Sequence, residues 1–454
     1  MLWAGLAAWL ACAVWVWLAA PPLGHDEARY AIEAQGLLAG LPVRWSYQSI
    51  GTVAVALPGV LAGGGALALR ALPTALGLLF VLAAARLARG AFGDATAAWT
   101  VAVLAASFVF VRRAAELLSD MPAAACLLAG AAILVTELAR EPAPGRRLVL
   151  AAPCFAAAFY LRYGSVLAIA AIGGATVIAG WRPLLRRPWT ALATAGLLAL
   201  LLAPHFAAAI ALTGSPLGIM REYSSVVASS EPTAWPGASL VIYATSNPFV
   251  YYGAVTAPVM LAGVAAIRRW RDRRVRLLWL MAVGDIVAVG LTPVAQPRYI
   301  FFGIALLVIL GTDELRRWIA AHTPAARRAL GGAAAAAVAA SWIIVAVTLY
   351  QLPAVRVANT AGTLAAAAAI REDARGAPCD VIGRHTTQLQ WYTGCVAVYD
   401  ARPDVRVQRN VYLVHEPLVP LQPALEGRPG VPRALVDRPD LIVLRYDPAP
   451  AGSR

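Results

Sequence analysis

Residues 51–69 read GTVAVALPGVLAGGGALAL, an apolar run that carries Pro58 and the triplet Gly63-Gly64-Gly65. Whether this run crosses a bilayer decides the parity of every later segment. Its proline and glycines make it a poor regular helix. Arginine placement arbitrates, because short cytoplasmic loops carry an excess of basic residues. Suppose 51–69 does not cross and the N-terminus is cytoplasmic. The cytoplasmic loops 86–94, 137–147, 181–188, 268–276 and 313–328 then hold 18 Arg, against 8 in the opposite loops before residue 350. A crossing run would invert this asymmetry. The stretch therefore reads as a re-entrant or interfacial segment on the outer face.

Composition sets the class. The chain has 454 residues, 60% of them hydrophobic and only 14% charged. A soluble protein of this size needs far more charged surface, so the sequence reads as an α-helical polytopic membrane protein. Apolar stretches near 3–20, 71–88, 95–111, 121–138, 148–162, 164–180, 189–206, 247–266, 277–294, 299–315 and 329–349 give eleven spans. The first lacks a basic leader and a small-residue cleavage pattern before Pro21-Pro22, so it reads as a retained span and not as a signal peptide. The net charge of +14 comes from arginine alone, with no lysine. Lysine Schiff-base chemistry is thereby excluded. Because the arginines sit in short loops between apolar runs, they point to membrane orientation and lipids, not to nucleic acid.

Eleven spans place everything after residue 350 outside the cytoplasm. There, 357–376 reads as a helix, and Cys379–Gly383, Cys395–Tyr399, Val405–Val414 and Leu441–Tyr446 read as strands between Pro- and Gly-rich turns. The expected organisation is a membrane domain over 1–350, with an outer segment at 21–70, and a small extracytoplasmic α/β domain over 351–454. Cys379 and Cys395 lie 16 apart in an oxidising compartment, which favours a disulfide over two buried thiols.

Polar residues sort by side. Asp26, Glu27 and Arg29 follow the first span. Arg112, Arg113, Glu116 and Asp120 lie between the third and fourth. Arg162 and Tyr163, then His205, Arg221, Glu222 and Tyr223, then Gln296, Arg298 and Tyr299 stand at other outer span ends. A helix starting near Asp26 would put Asp26, Arg29, Tyr30 and Glu33 on one face. Guanidinium forks match phosphate oxygens. Carboxylates accept protons or hold a divalent cation such as Mg or Mn. Each residue has a plainer reading: Arg112 and Glu116 are spaced to pair with each other, and Arg162 and Arg298 are placed to snorkel. The signal is their common side, which suggests transfer from a lipid phosphate.

Several motifs carry a family resemblance. Asp26-Glu27-Ala28-Arg29-Tyr30 resembles the acidic motif in the first outer loop of GT-C membrane glycosyltransferases, which include dolichyl-phosphate-mannose protein mannosyltransferases and the aminoarabinose transferase of lipid A. Arg70-Ala71-Leu72-Pro73 with Ala91-Phe92-Gly93, Ser119-Asp120-Met121-Pro122, Thr213-Gly214-Ser215-Pro216-Leu217 and Pro297-Arg298-Tyr299 resemble further family elements, in the family's order, over roughly residues 1–320. Arg44-Trp45-Ser46-Tyr47-Gln48 departs from the family's basic residue and paired prolines at that place.

The resemblance implies an inverting transfer of a sugar from a polyprenyl-phosphate donor to a glycan, lipid or protein acceptor outside the cytoplasm. Asp26 is then the base, helped or oriented by Glu27, and Asp120 is a second acid. Arg298, Arg162 and Arg112 are candidates for the donor phosphate. Arg29, Tyr30, Glu116, Tyr299 and His205 are candidates for the rest of the substrate. Asp26, Glu27 and Asp120 are the candidate ligands of a divalent cation. Rival readings are a polymerase or ligase with a diphosphate-linked donor, a transporter, and an envelope-assembly scaffold. No internal repeat or mid-span break supports the transporter.

Overall fold

The computed structural model describes residues 1–43, 45–46, 48–140, 144–222, 237–245, 253–292, 296–398, 409–415 and 432–447. The chain divides into two compact units. One comprises Met1–Leu18, Val43–Val55 and Arg70–Tyr350; the other comprises Ala19–Pro42, Ala56–Leu69 and Gln351–Arg454.

The first unit is helical throughout. Its helices are α1 (Leu2–Leu18), the start of α3 (Ile50–Leu61), most of α4 (Ala66–Phe92), α5 (Asp94–Ala105), α6 (Phe108–Ala114), α7 (Asp120–Leu138), α8 (Ala151–Leu161), α9 (Ser165–Arg186), α10 (Pro188–Thr213), α11 (Ala238–Thr245), α12 (Thr256–Arg269), α13 (Arg273–Gly290), α14 (Phe301–Ala320) and the first half of α15 (Pro324–Ala374). Local chemistry marks several ends. Pro188 starts α10, where its missing N–H costs nothing. Gly214 ends the same helix at φ 72°. The Asp272 carboxylate accepts the Arg274 N–H at 2.9 Å and caps α13. Among the described residues, five helices are long and apolar enough to cross a membrane, or six if the bent pair α5 and α6 forms one span.

Burial separates these helices. Most of α7 is covered by neighbours, whereas α10 and α15 present largely exposed apolar faces, as lipid-facing helices do. Near the arginine-rich stretches at 268–276 and 313–328, buried acids are paired. Arg269 meets Asp313 at 2.7 Å, Arg317 meets Asp313 at 2.8 Å and Arg268 meets Glu314 at 3.2 Å. Asp313 also accepts the Thr96 hydroxyl at 3.1 Å, which ties α14 to α5.

The second unit packs a sheet on a helix end. Its strands are β1 (Cys379–Ile382), β2 (Val396–Val398), β3 (Asn410–His415), β4 (Arg433–Arg438) and β5 (Leu441–Tyr446), in the order β2-β1-β3-β5-β4. β1 runs parallel to β2 and β3, while β5 runs antiparallel to β3 and β4. Ala366, Ala367, Ile370 and Ala374 of α15 fill the core against Val381, Tyr412, Val414 and Val443. Asp373 ties the two layers: Tyr412 donates to it at 2.9 Å and Arg445 at 2.7 Å, with Arg433 beside them. Between β1 and β2 lies α16 (Thr386–Thr393), and Cys379 and Cys395 are joined in a disulfide across that segment. Helix α2 (His25–Leu38) and the turn after α3 complete the unit.

Several sequence expectations are refined. The stretch 51–69 holds a regular 12-residue helix, α3, in spite of Pro58. At about 1.5 Å per residue it is too short to cross a core of about 30 Å. The chain then reverses at Gly63 (φ 99°) and Gly64 (φ 71°) into α4. Gly59 permits the reversal: a side chain there would stand 2.5 Å from the Leu69 Cα. The expected span at 95–111 is two helices bent by 82°, and that at 148–162 begins as a 3-10 turn at Arg146–Leu150 before α8. The separate segments expected at 329–349 and 357–376 are one 51-residue helix that runs through Pro353. β4 was not expected. Residues 399–408, part of two expected strands, and 246–252, part of an expected span, lie outside the described residues, as do Arg44, Tyr47 and Tyr223.

Candidate active site

In the first unit, three segments far apart in sequence converge on Asp120. Asp120 opens α7, where the helix N-terminus favours an anion. Arg162 follows the last residue of α8 in an extended conformation. Arg298 sits in a 3-10 turn, Pro297–Ile300, that leads into α14. Arg162 Nε lies 3.2 Å from one Asp120 oxygen, and Arg298 Nε lies 3.2 Å from the other. Arg162 also donates to the Tyr299 carbonyl at 3.2 Å and stacks 3.9 Å above the Tyr299 ring. The carboxylate is buried at 4% exposure, while the guanidiniums keep 19% and 14%. One face of the arginine pair thus remains reachable.

A small cavity adjoins the cluster. Its volume is about 10 Å³, and Asp120, Arg162, Asp285, Arg298 and Tyr299 line it. That is room for roughly one water and no more. Asp285, on α13, is buried and accepts the Gly303 N–H at 3.0 Å. Sequence reading passed over it, although a lone acid inside an apolar span is itself a signal.

Arg112 and Glu116 are placed differently. Arg112 pairs with Glu116 at 3.2 Å, and Arg113 meets the same carboxylate from its other side. Glu116 is buried, so this triad neutralises an acid at the end of α6. His205 is fully buried in an aromatic nest of Trp45, Phe159, Tyr163 and Phe206. Neither of its ring nitrogens has a hydrogen-bond partner among the described residues. Arg221 and Glu222 are exposed.

In the second unit, α2 presents the expected stripe. Asp26, Arg29, Tyr30 and Glu33 are half-buried, while Glu27, Ala28, Ala31 and Ala34 form the covered face. Arg29 and Glu33 pair at 3.6 Å. Glu27 turns inward, accepts the Gly24 N–H at 2.8 Å and faces Arg356 at 3.7 Å. Those bonds anchor the start of the helix, the role a capping box plays. Helix α16 holds the same start. Tyr392 accepts the Leu23 N–H at 2.8 Å, Gln388 donates to the Leu23 carbonyl at 2.9 Å, and Thr387 donates to the His25 carbonyl at 3.0 Å. Desolvation lowers the His25 pKa below its ordinary value, with Arg29 and His385 acting in the same direction and Asp26 opposing them. Arg356 and α16 were not legible as neighbours of the acidic motif.

As a cation site, Asp120 fits poorly, since a guanidinium faces each of its oxygens. Among the described residues, no three His, Cys, Asp or Glu side chains gather as a metal site.

Comparison with known proteins bears on the fold. Residues 54–207 match the family model described as dolichyl-phosphate-mannose-protein mannosyltransferase. No curated protein matches the chain by sequence. ArnT from Cupriavidus metallidurans bound to undecaprenyl phosphate shares the fold with a TM-score of 0.72 at 15% identity, over 96% of this chain and 97% of that one. The Archaeoglobus fulgidus oligosaccharyltransferase in complex with Zn and sulfate gives 0.62 at 14% identity, over 90% of this chain and 67% of that one. AglB from Archaeoglobus fulgidus, in complex with an inhibitory peptide and a dolichol-phosphate, gives 0.54 at 12% identity, over 89% and 65%. Multi-pass and mostly helical, with a small sheet in its C-terminal part, the chain has the fold shared by ArnT and the oligosaccharyltransferase.

Proposed function

We propose that this chain transfers a sugar from a polyprenyl-phosphate donor to an acceptor hydroxyl on the outer face of a cell membrane, by one inverting displacement. The observation that carries the reading is the convergence of Arg162 and Arg298 on the buried Asp120 carboxylate. The ArnT structure, which shares this fold, is bound to undecaprenyl phosphate, a ligand of the class such a guanidinium pair recognises.

In the proposed reaction the acceptor oxygen attacks the anomeric carbon. Its proton passes to the Asp26 carboxylate. The bond from the anomeric carbon to the phosphate oxygen breaks, and its electron pair leaves with the polyprenyl phosphate. The charge gained there is neutralised by Arg162 and Arg298. Before the donor binds, Asp120 holds both guanidiniums aligned. It is a positioning residue that shares them with the phosphate. No step passes through a metal.

Arg298 is the direct test. A fork-shaped donor fixed by Pro297 and Tyr299 is poorly replaced by an ammonium, so Arg298→Lys is expected to weaken donor binding about tenfold or more. Its melting temperature is expected to stay near that of the native protein. Titration of purified protein with polyprenyl-phosphate sugar, beside a melting curve, gives both numbers. Unchanged affinity would return Arg298 to an interfacial anchor. Turnover of a diphosphate-linked glycan in place of the monophosphate donor would favour the polymerase or ligase reading.

The proposed orientation is a cytoplasmic N-terminus with the sheet-bearing unit outside, from the 18-to-8 arginine asymmetry. A cysteine introduced at Asp440, in the exposed turn between β4 and β5, should react with an impermeant maleimide on intact cells. Reaction only after permeabilisation would overturn the topology and the placement of the site.

A further inference from the structure

A second polar cavity lies at the other end of α7. Asp120 opens that helix and Leu138 closes it, so the two ends stand about 27 Å apart at 1.5 Å per residue. The cavity there measures about 220 Å³, many times the roughly 10–15 Å³ that one water needs. Four arginines line it: Arg140 after α7, Arg186 at the end of α9, and Arg273 and Arg274 at the start of α13. Among the described residues of the lining Asp272 is the single acid, and it is engaged by Arg269 at 3.3 Å and by the α13 cap.

Three of the guanidiniums are held in place. Arg273 donates to the Leu138 carbonyl, and Arg274 donates to the Ala91 carbonyl at 2.9 Å. Arg140 pairs with Glu137 at 3.2 Å. The remaining wall is apolar, with Val135, Leu138 and Leu277 among it. On the same end of α9, Trp181 and Leu185 are 50% and 66% exposed, as residues facing lipid at an interface are. Insertion into a membrane accounts for arginines in these loops. It does not account for their meeting, from three helix ends, around one cavity with an apolar wall.

We propose that this cavity binds the phosphate headgroup of an anionic phospholipid, with the acyl chains leaving along the apolar wall. Forked guanidiniums suit phosphate oxygens, and basic pockets between membrane helices recognise anionic headgroups. The bound lipid would join the ends of α7, α9 and α13, on the face opposite the candidate active site. The inference stands apart from the proposed reaction, since it uses none of its residues.

The test is lipid binding by the full chain in nanodiscs, read as displacement of fluorescent phosphatidylglycerol. Native protein is expected to prefer phosphatidylglycerol over phosphatidylcholine by about tenfold or more. Arg186→Gln with Arg274→Gln should abolish that preference while melting in phosphatidylcholine nanodiscs stays native-like. Should the pair fail to fold, Arg186→Glu alone, at an exposed position, is expected to give the same loss. An undiminished preference in the folded variants would overturn the proposal. Displacement by glycerol phosphate as effective as by the lipid would overturn it too, by showing a soluble-anion site.

Discussion

Replacing Asp26 with asparagine is expected to leave insertion and melting unchanged and to lower sugar transfer by about a hundredfold or more, the scale of losing a general base. The expectation rests on placement. Asp26 lies on the half-buried stripe of α2 with Arg29, Tyr30 and Glu33, while its neighbour Glu27 is buried and bonded to Gly24 and Arg356. Asparagine keeps the shape of aspartate and removes its basicity. Glu27→Gln gives the contrasting result. It should loosen the start of the helix and lower melting, because a buried carboxylate is exchanged for a group that pairs less well with a guanidinium. Transfer assays and melting curves on both variants separate the two roles. Near-native turnover by Asp26→Asn would remove Asp26 as the base.

The second large effect falls on Asp120. Its removal leaves two guanidiniums, each with its partner oxygen gone, in a largely buried cluster. Breaking a buried ion pair from one side costs about 3–5 kcal/mol, so Asp120→Ala is expected to melt well below the native protein. It should also lose transfer, since nothing would align Arg162 with Arg298. Addition of polyprenyl phosphate is expected to recover part of the lost stability, because its phosphate supplies the missing anion. Native-like melting of Asp120→Ala without ligand would show that the arginines do not depend on Asp120.

How much of this the sequence discloses differs by level. Long apolar runs and arginine asymmetry are averaged over many residues, so the membrane class and the helical regions are legible. The stripe of α2 is legible because its period is local. Which charges meet is not. Asp120, Arg162 and Arg298 are separated by more than a hundred residues in all, and only the fold brings them together. Arg112 stands at the same side in sequence, yet its spacing to Glu116 describes its partner better than its side does. Pro353 signals a break that does not occur, because neighbouring turns keep α15 helical around the lost N–H. β4 reads Arg-Ala-Leu-Val-Asp-Arg, and as an edge strand with little cover it lacks the alternation that marks a half-buried strand.

The bond between Cys379 and Cys395 has a consequence for maturation. It closes a segment of separation 16 around α16, and closing a loop of that size restrains the unfolded chain by about 3 kcal/mol. Helix α16 is the element whose Thr387, Gln388 and Tyr392 hold the chain from Leu23 to His25, next to Asp26. On the proposed topology, a newly made chain therefore gains this restraint only once Cys379 and Cys395 have met an oxidising compartment. A chain stalled before export would then lack the restraint on the helix that holds the residues next to Asp26.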